Sequence, residues 1–323
     1  MPGPCAAALP PRPDGRTPCH GLITPSGGRY IRSASLEPSD PPARSACRRS
    51  PGYWLDRGIA GWRLDAAYAV PLAFWRTVTG RVRARHPGAW LVGEVIHGDY
   101  ARYVTEGGLD SVTQYELWKA IWSSLNDRNF FELAWALKRH NAMLATFAPQ
   151  TFAGNHDVTR LASRLSDDRH LGHALAVLYT VGGVPSVYYG DERGLRAVKE
   201  HREGGDDAIR PAYPGEPSSW AGTGDAAFRL HQILIGMRRR HPWLVRARAT
   251  VSHLTSTALA YTVTGHRAGD CLAVALSTSD QPVKVSLPAG SWALEAGTAQ
   301  FGPDQALVPP AGWAIASSPQ TGR

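Results

Sequence analysis

Gly61-Trp62-Arg63-Leu64-Asp65, Val92-Gly93-Glu94-Val95-Ile96-His97 and Phe152-Ala153-Gly154-Asn155-His156-Asp157 decide the fold of this chain. Each is an apolar run that meets an acid abruptly. A buried strand reads this way when its last residue turns an ionised group into a cleft. One βα repeat takes roughly 30 residues, so Asp65 and Glu94 stand at equivalent points of consecutive repeats. Asp157 follows about two repeats later. A parallel barrel collects such points on one rim, at the C-terminal ends of its strands, where barrel active sites are built. Taken singly, the segments have plainer readings. Arg-x-Asp near a strand end is ordinarily a salt bridge, a lone Glu is ordinarily solvated, and Asn-His-Asp suits a turn. Their order and shared placement favour chemistry.

The rest of the body alternates as a barrel requires. Strands are expected at Ile59–Asp65, Trp90–Glu94, Leu109–Gln114, Gln150–Gly154 and Val184–Tyr189. Helical patterns fall between them: Pro71 to Ala84, Tyr100–Glu106, a run through Leu125, Phe130–Leu144 and Arg169 to Thr180. The first has Val70, Phe74, Val78 and Val82 at helical spacing. Arg193–Ala227 is rich in Gly, Pro and charge and reads as a long loop. Phe228–Arg240 closes the region with a helix whose basic end, Arg238-Arg239-Arg240, suits the helix dipole. From about Trp243 the pattern turns to short alternating strands separated by Gly, Asp and Pro: Thr250–Leu254, Leu259–Thr264, Cys271–Leu276, Val283–Leu287 and Trp292–Glu295. The expected class is α/β: a partial (β/α)8 TIM-type barrel with about five of eight strands, then a small all-β sandwich domain. The boundaries are a leader at 1–50, the partial barrel at 51–242 and the β-sandwich at 243–323. Trp118 and Trp122, four apart on a helix, read as core. Trp292 and Trp313 read as sandwich packing before carbohydrate platforms.

The three segments resemble those of the α-amylase family of retaining glycoside hydrolases, as does the run Gly183-Val184-Pro185-Ser186-Val187-Tyr188-Tyr189-Gly190-Asp191-Glu192, which is similar to that family's final barrel strand. The resemblance covers roughly 51–323. It implies Asp65 as nucleophile, Glu94 as general acid/base and Asp157 as the carboxylate that holds sugar hydroxyls and stabilises the transition state. It further implies substrate-binding roles for Arg63, His97, Asn155, His156 and Arg210. The chemistry needs these types. A retaining mechanism takes two carboxyls about 5–5.5 Å apart, one attacking the anomeric carbon and one protonating the leaving oxygen. An arginine two residues before the nucleophile lies on the same side of the strand, where its cation keeps the carboxylate ionised. Negative charge on Asp65 and Asp157 would help Glu94 keep a proton.

Two departures from the family pattern stand out. Ala66-Ala67-Tyr68-Ala69-Val70 lacks the Lys-His pair found after the nucleophile of many α-amylases, and the Glu94-x-x-His97 spacing is closer to members acting on pullulan or cyclic dextrins. The family's Asp-x-x-x-Asn-His segment has no counterpart, because no Asn precedes Asn126. Residues 1–50 hold ten prolines and no sustained periodicity, so they are expected to be a disordered or non-native leader. The family's first βα units, on the order of 90 residues, do not fit there.

The net charge of +8 is dispersed, which points to a solvated surface, so no nucleic acid is expected as a partner. No apolar run is long enough to span a bilayer, so none is expected with a membrane. Met1-Pro2-Gly3-Pro4-Cys5 lacks the basic start and apolar core of a signal peptide. The expectation is a cytoplasmic protein, with export of a longer form left open. Cys5, Cys19, Cys47 and Cys271 show no metal spacing. His97 with Asp99 reads as a sugar-contacting or structural histidine before a metal pair. No metal and no cofactor are expected.

Two function classes remain. One is a retaining hydrolase or transglycosylase acting on starch-, maltodextrin- or pullulan-like α-glucans or maltooligosaccharides. The other is a catalytically inactive remnant of such an enzyme, at most a weak glucan binder. Oligomeric state is not legible in the sequence.

Overall fold

A computed structural model of the chain describes residues 52–213, 215–216 and 224–318. The leader expected at 1–50 lies outside the described residues. Two compact units emerge: residues up to Glu94 together with Arg102–Asp110, and Val95–Ala101 together with Ser111 onward.

The first unit is built on a parallel strand pair, β1 (Gly61–Leu64) and β2 (Trp90–Gly93). Gly61 lies opposite Trp90 and Leu64 opposite Gly93. The register therefore puts Asp65 and Glu94 side by side, each one residue past its strand. The Glu94 N–H extends the ladder, donating to the Leu64 carbonyl at 2.8 Å. Between the strands runs helix α1 (Leu72–Arg85), which buries Trp75, Val78, Thr79 and Val82, an i, i+3, i+4, i+7 stripe. Trp75 rather than Phe74 takes the deepest place. Its indole N–H donates to the Ala67 carbonyl at 2.9 Å, anchoring the turn that follows Asp65. The short helix α2 (Tyr100–Thr105) comes after β2.

The second unit holds the later repeats. Strand β3 (Ser111–Val112) leads to a parallel bridge between Thr113 and Gln150, and β4 (Gln150–Phe152) pairs in parallel with β5 (Val184–Ser186). Helices α3 (Tyr115–Asn126) and α4 (Phe130–Leu144) join β3 to β4. The Asn129 side chain caps α4 by accepting from the Phe131 N–H at 3.2 Å. A one-turn helix α5 (Leu161–Arg164), absent from the sequence expectation, precedes α6 (Leu171–Thr180). Every residue of α6 after its first is buried, the mark of a helix covered on all sides. Helix α7 (Asp225–Arg240) begins three residues earlier than expected.

The sheets after α7 explain that burial. Strands β6 (Arg248–Leu254), β7 (Ala258–Thr264), β8 (Cys271–Ser277), β10 (Ala293–Gly297) and β13 (Trp313–Ser317) form an antiparallel sheet in the order β10-β13-β8-β7-β6. Strands β9 (Val283–Ser286), β11 (Gln300–Phe301) and β12 (Gln305–Val308) form a second in the order β11-β12-β9. The central strands β7 and β8 of the larger sheet are buried on both faces. Leu259, Tyr261, Val263, Leu272, Val274, Leu276 and Ile315 join one apolar core with α3, α4, α6 and α7. The alternate residues Ala258, Ala260, Ala273, Ala275 and Ala314 meet Val285, Ala306 and Val308 of the smaller sheet. Period-2 alternation thus sorts size, large side chains toward helices and alanines toward the second sheet. The larger sheet, set apart at residue 243 in the sequence, shares a core with the helices before it. No helix among the described residues is long and apolar enough to cross a membrane.

Candidate active site

Arg63 organises the first cluster. Its Nη1 meets Asp65 Oδ1 at 2.7 Å and its Nη2 meets Glu94 Oε1 at 2.9 Å. One planar guanidinium therefore spans both carboxylates. The other Glu94 oxygen, Oε2, accepts from the Ala66 N–H at 2.9 Å. Ala66 adopts a left-handed backbone at φ 45°, which aims that N–H at the acid. The Tyr68 N–H donates to the Glu94 carbonyl at 3.2 Å, closing the turn. Glu94 is buried and Asp65 only partly exposed, with 17% of its side-chain surface open. A carboxylate with both oxygens accepting is held as an acceptor.

The second cluster lies in the other unit, beyond β4. Asp157 Oδ1 meets Arg210 Nη2 at 2.8 Å, and its Oδ2 lies 3.1 Å from His156 Nε2. Its backbone N–H donates to Asn155 Oδ1 at 2.9 Å, the Asx turn expected of such a sequence. Asn155 Nδ2 in turn donates to Tyr115 Oη at 2.9 Å. Arg210 is steered from two sides. Its Nε donates to the His156 carbonyl at 2.8 Å, and Asp206 Oδ2 holds its Nη2 at 3.0 Å while Lys199 holds the other Asp206 oxygen at 3.1 Å. The loop 199–210 thus delivers Arg210 to Asp157.

Of the residues singled out in the sequence, Arg63, Asp65 and Glu94 come together in the first unit. Asn155, His156, Asp157 and Arg210 come together in the second. His97 also belongs to the second unit and is exposed. Trp292 and Trp313 pack against the apolar cores. Arg160 and Asp191 were left without a role by the sequence reading. The signal for Asp191 was present, since the apolar run from Val184 also ends in acids. Among the described residues no three His, Cys, Asp or Glu side chains gather as a metal site.

A family model, the catalytic domain of α-amylase, matches residues 30–213, more than half of the chain. The chain belongs to the α-amylase family. The match begins inside the proline-rich N-terminal segment. Neopullulanase 2 of Thermoactinomyces vulgaris is 28% identical over 65% of this chain and 35% of its own length. A cyclomaltodextrinase of a Bacillus species is 29% identical over 64% and 36%. The maltogenic α-amylase of Bacillus acidopullulyticus is 31% identical over 44% and 25%. The chain thus spans between a quarter and about a third of these curated relatives. Among solved structures, an Anoxybacillus α-amylase superposes with a TM-score of 0.73 at 21% identity, covering 89% of this chain and 65% of that one. The native debranching enzyme of Nostoc punctiforme superposes at 0.72 with 22% identity, covering 92% and 68%. The fold is that of the family: part of its (β/α) barrel followed by a β domain.

Proposed function

We propose that this chain carries the reacting carboxylates of a retaining glycoside hydrolase or transglycosylase acting on α-glucosidic bonds of starch-, maltodextrin- or pullulan-like glucans. The observation that carries the reading is the single guanidinium of Arg63 bridging Asp65 and Glu94. In this reading Asp65 attacks the anomeric carbon as the bond to the leaving oxygen breaks, and Glu94 gives that oxygen its proton. Water or a sugar hydroxyl then attacks the glycosyl-Asp65 ester, with Glu94 taking its proton. Arg63 orients the nucleophile through its contact with Asp65 Oδ1. Asp157, with His156, Asn155 and Arg210, holds sugar hydroxyls, and His97 is a further sugar-contacting residue. The names of the relatives, a neopullulanase, a cyclomaltodextrinase and a maltogenic amylase, support the substrate class.

The test is covalent capture. A fluorinated glucosyl fluoride that forms the glycosyl-enzyme quickly and releases it slowly should add one sugar mass to the peptide carrying Asp65. The Asp65→Asn variant should take none. Maltooligosaccharide binding with no label on Asp65 would overturn the reading and leave the glucan-binding remnant in its place.

A further inference from the structure

The buried pair Arg160–Asp191 lies behind the second cluster and has no part in the roles above. Arg160 is 1% exposed and Asp191 9%. Arg160 Nη1 meets Asp191 Oδ1 at 3.0 Å and donates to the Tyr189 carbonyl at 2.5 Å. Its guanidinium sits 4.0 Å over the Tyr188 ring. Yet Nε and Nη2 are buried with no hydrogen-bond partner among the described residues. A buried ion pair with donors left over is weak as a stabilising device. What it does have is location.

Three chain segments meet around it. Arg160 follows Asp157 in the loop after β4. Asp191 ends the run after β5, and its Oδ2 packs so tightly on Gly154 that a Cβ there would lie 2.3 Å away. Tyr189 donates from Oη to the Pro211 carbonyl at 2.5 Å, next to Arg210. The Tyr188 ring, under Arg160, lies 6.3 Å from the His156 ring. The pair therefore joins the Gly154–Arg160 turn, the Tyr188–Asp191 turn and the Arg210 loop.

We infer that Asp191, acting through Arg160, is a positioning residue that fixes Asp157, His156 and Arg210 for sugar binding. Buried polar charge suits that task, because a short ion pair sets the spacing of two loops more sharply than apolar packing does. Burial pushes the Asp191 carboxyl up to about 6 against the pull of Arg160. The other groups facing it are Glu192 on its own turn and His231 on α7. The inference deepens the function proposed above and rests on that reading.

The test uses the full chain with Asp191→Ala and Asp191→Asn, the second keeping an acceptor oxygen for Arg160. One readout needs no turnover: the imidazole resonances of His156, assigned through His156→Gln, should move in Asp191→Ala and return toward the parent in Asp191→Asn. The other is kcat/KM on a maltooligosaccharide, expected to fall about 10- to 100-fold in Asp191→Ala with partial rescue in Asp191→Asn at matched folded fraction. Unmoved His156 resonances in a folded Asp191→Ala, or losses in both variants that only track the unfolded fraction, would overturn the inference. A parent chain with no turnover would count against the proposed function and leave the His156 readout to decide this one.

Discussion

At the residue scale, Arg63 ties two carboxylates together. A planar fork holds two carboxylates at 2.7 and 2.9 Å in fixed directions, whereas an ammonium is a compact point charge without that rigid fork. Arg63→Lys is therefore expected to keep the fold and lower kcat/KM about 100-fold, since small misplacements of reacting groups carry losses of that order. Steady-state kinetics beside a melting curve checks it, and parent-like kcat/KM would refute the bridging role. Gly154 is the second constraint. Gly154→Ala would drive a methyl against Asp191 Oδ2, 2.3 Å from its ideal position. Overpacking should destabilise the fold by about 1–3 kcal/mol, read as a lower Tm. The first of these residues was legible as a motif member. Nothing local to Gly154 announces its neighbour, because Asp191 lies a full repeat away.

At the scale of elements, the parallel register of β1 and β2 sets Asp65 beside Glu94, and a slip of one residue would send their side chains to opposite faces. The sequence marked both strands but carried each one residue too far, onto the acid that closes its apolar run. Helix α6 was legible as a helix from its apolar content, yet its coverage on every side depends on the sheet that follows. Gly172 on α6 faces Trp313 of β13, where a Cβ would fall 2.1 Å from Nε1. Helix propensity favours alanine by up to about 1 kcal/mol. The clash should outweigh that, so Gly172→Ala is expected to lower the midpoint of urea unfolding. Leu234 on α7 is fully buried in the same core. Leu234→Ala should cost about 2–5 kcal/mol by the same measurement.

At the scale of the whole molecule, buried histidines set the response to acid. Burial pulls His140, His173 and His231 down to about 4 from an ordinary 6.5. Between those values the unfolded chain binds more protons than the folded one, so stability is full above 6.5 and drains as pH falls toward 4. Asp191, raised to about 6, acts in the opposite sense: between 3.8 and 6 its folded form binds the extra proton and favours folding as pH falls. Three groups outweigh one. Thermal melts are expected to show Tm dropping from pH 7 to pH 5, with a shallower drop in His140→Gln, and a flat profile would refute this account. By itself, the sequence determined the family, the alternation of strand and helix, and the acids that terminate strands, because these are encoded by local runs with fixed periods and a residue at a fixed offset. Only the tertiary structure decided that Arg63 spans Asp65 and Glu94, that Asp206 and Lys199 steer Arg210, and that Arg160 and Asp191 meet. The contacts Arg63–Glu94, Arg210–Asp157 and Arg160–Asp191 join residues far apart in the chain, and such contacts are chosen by packing and register across the fold, which no local pattern records.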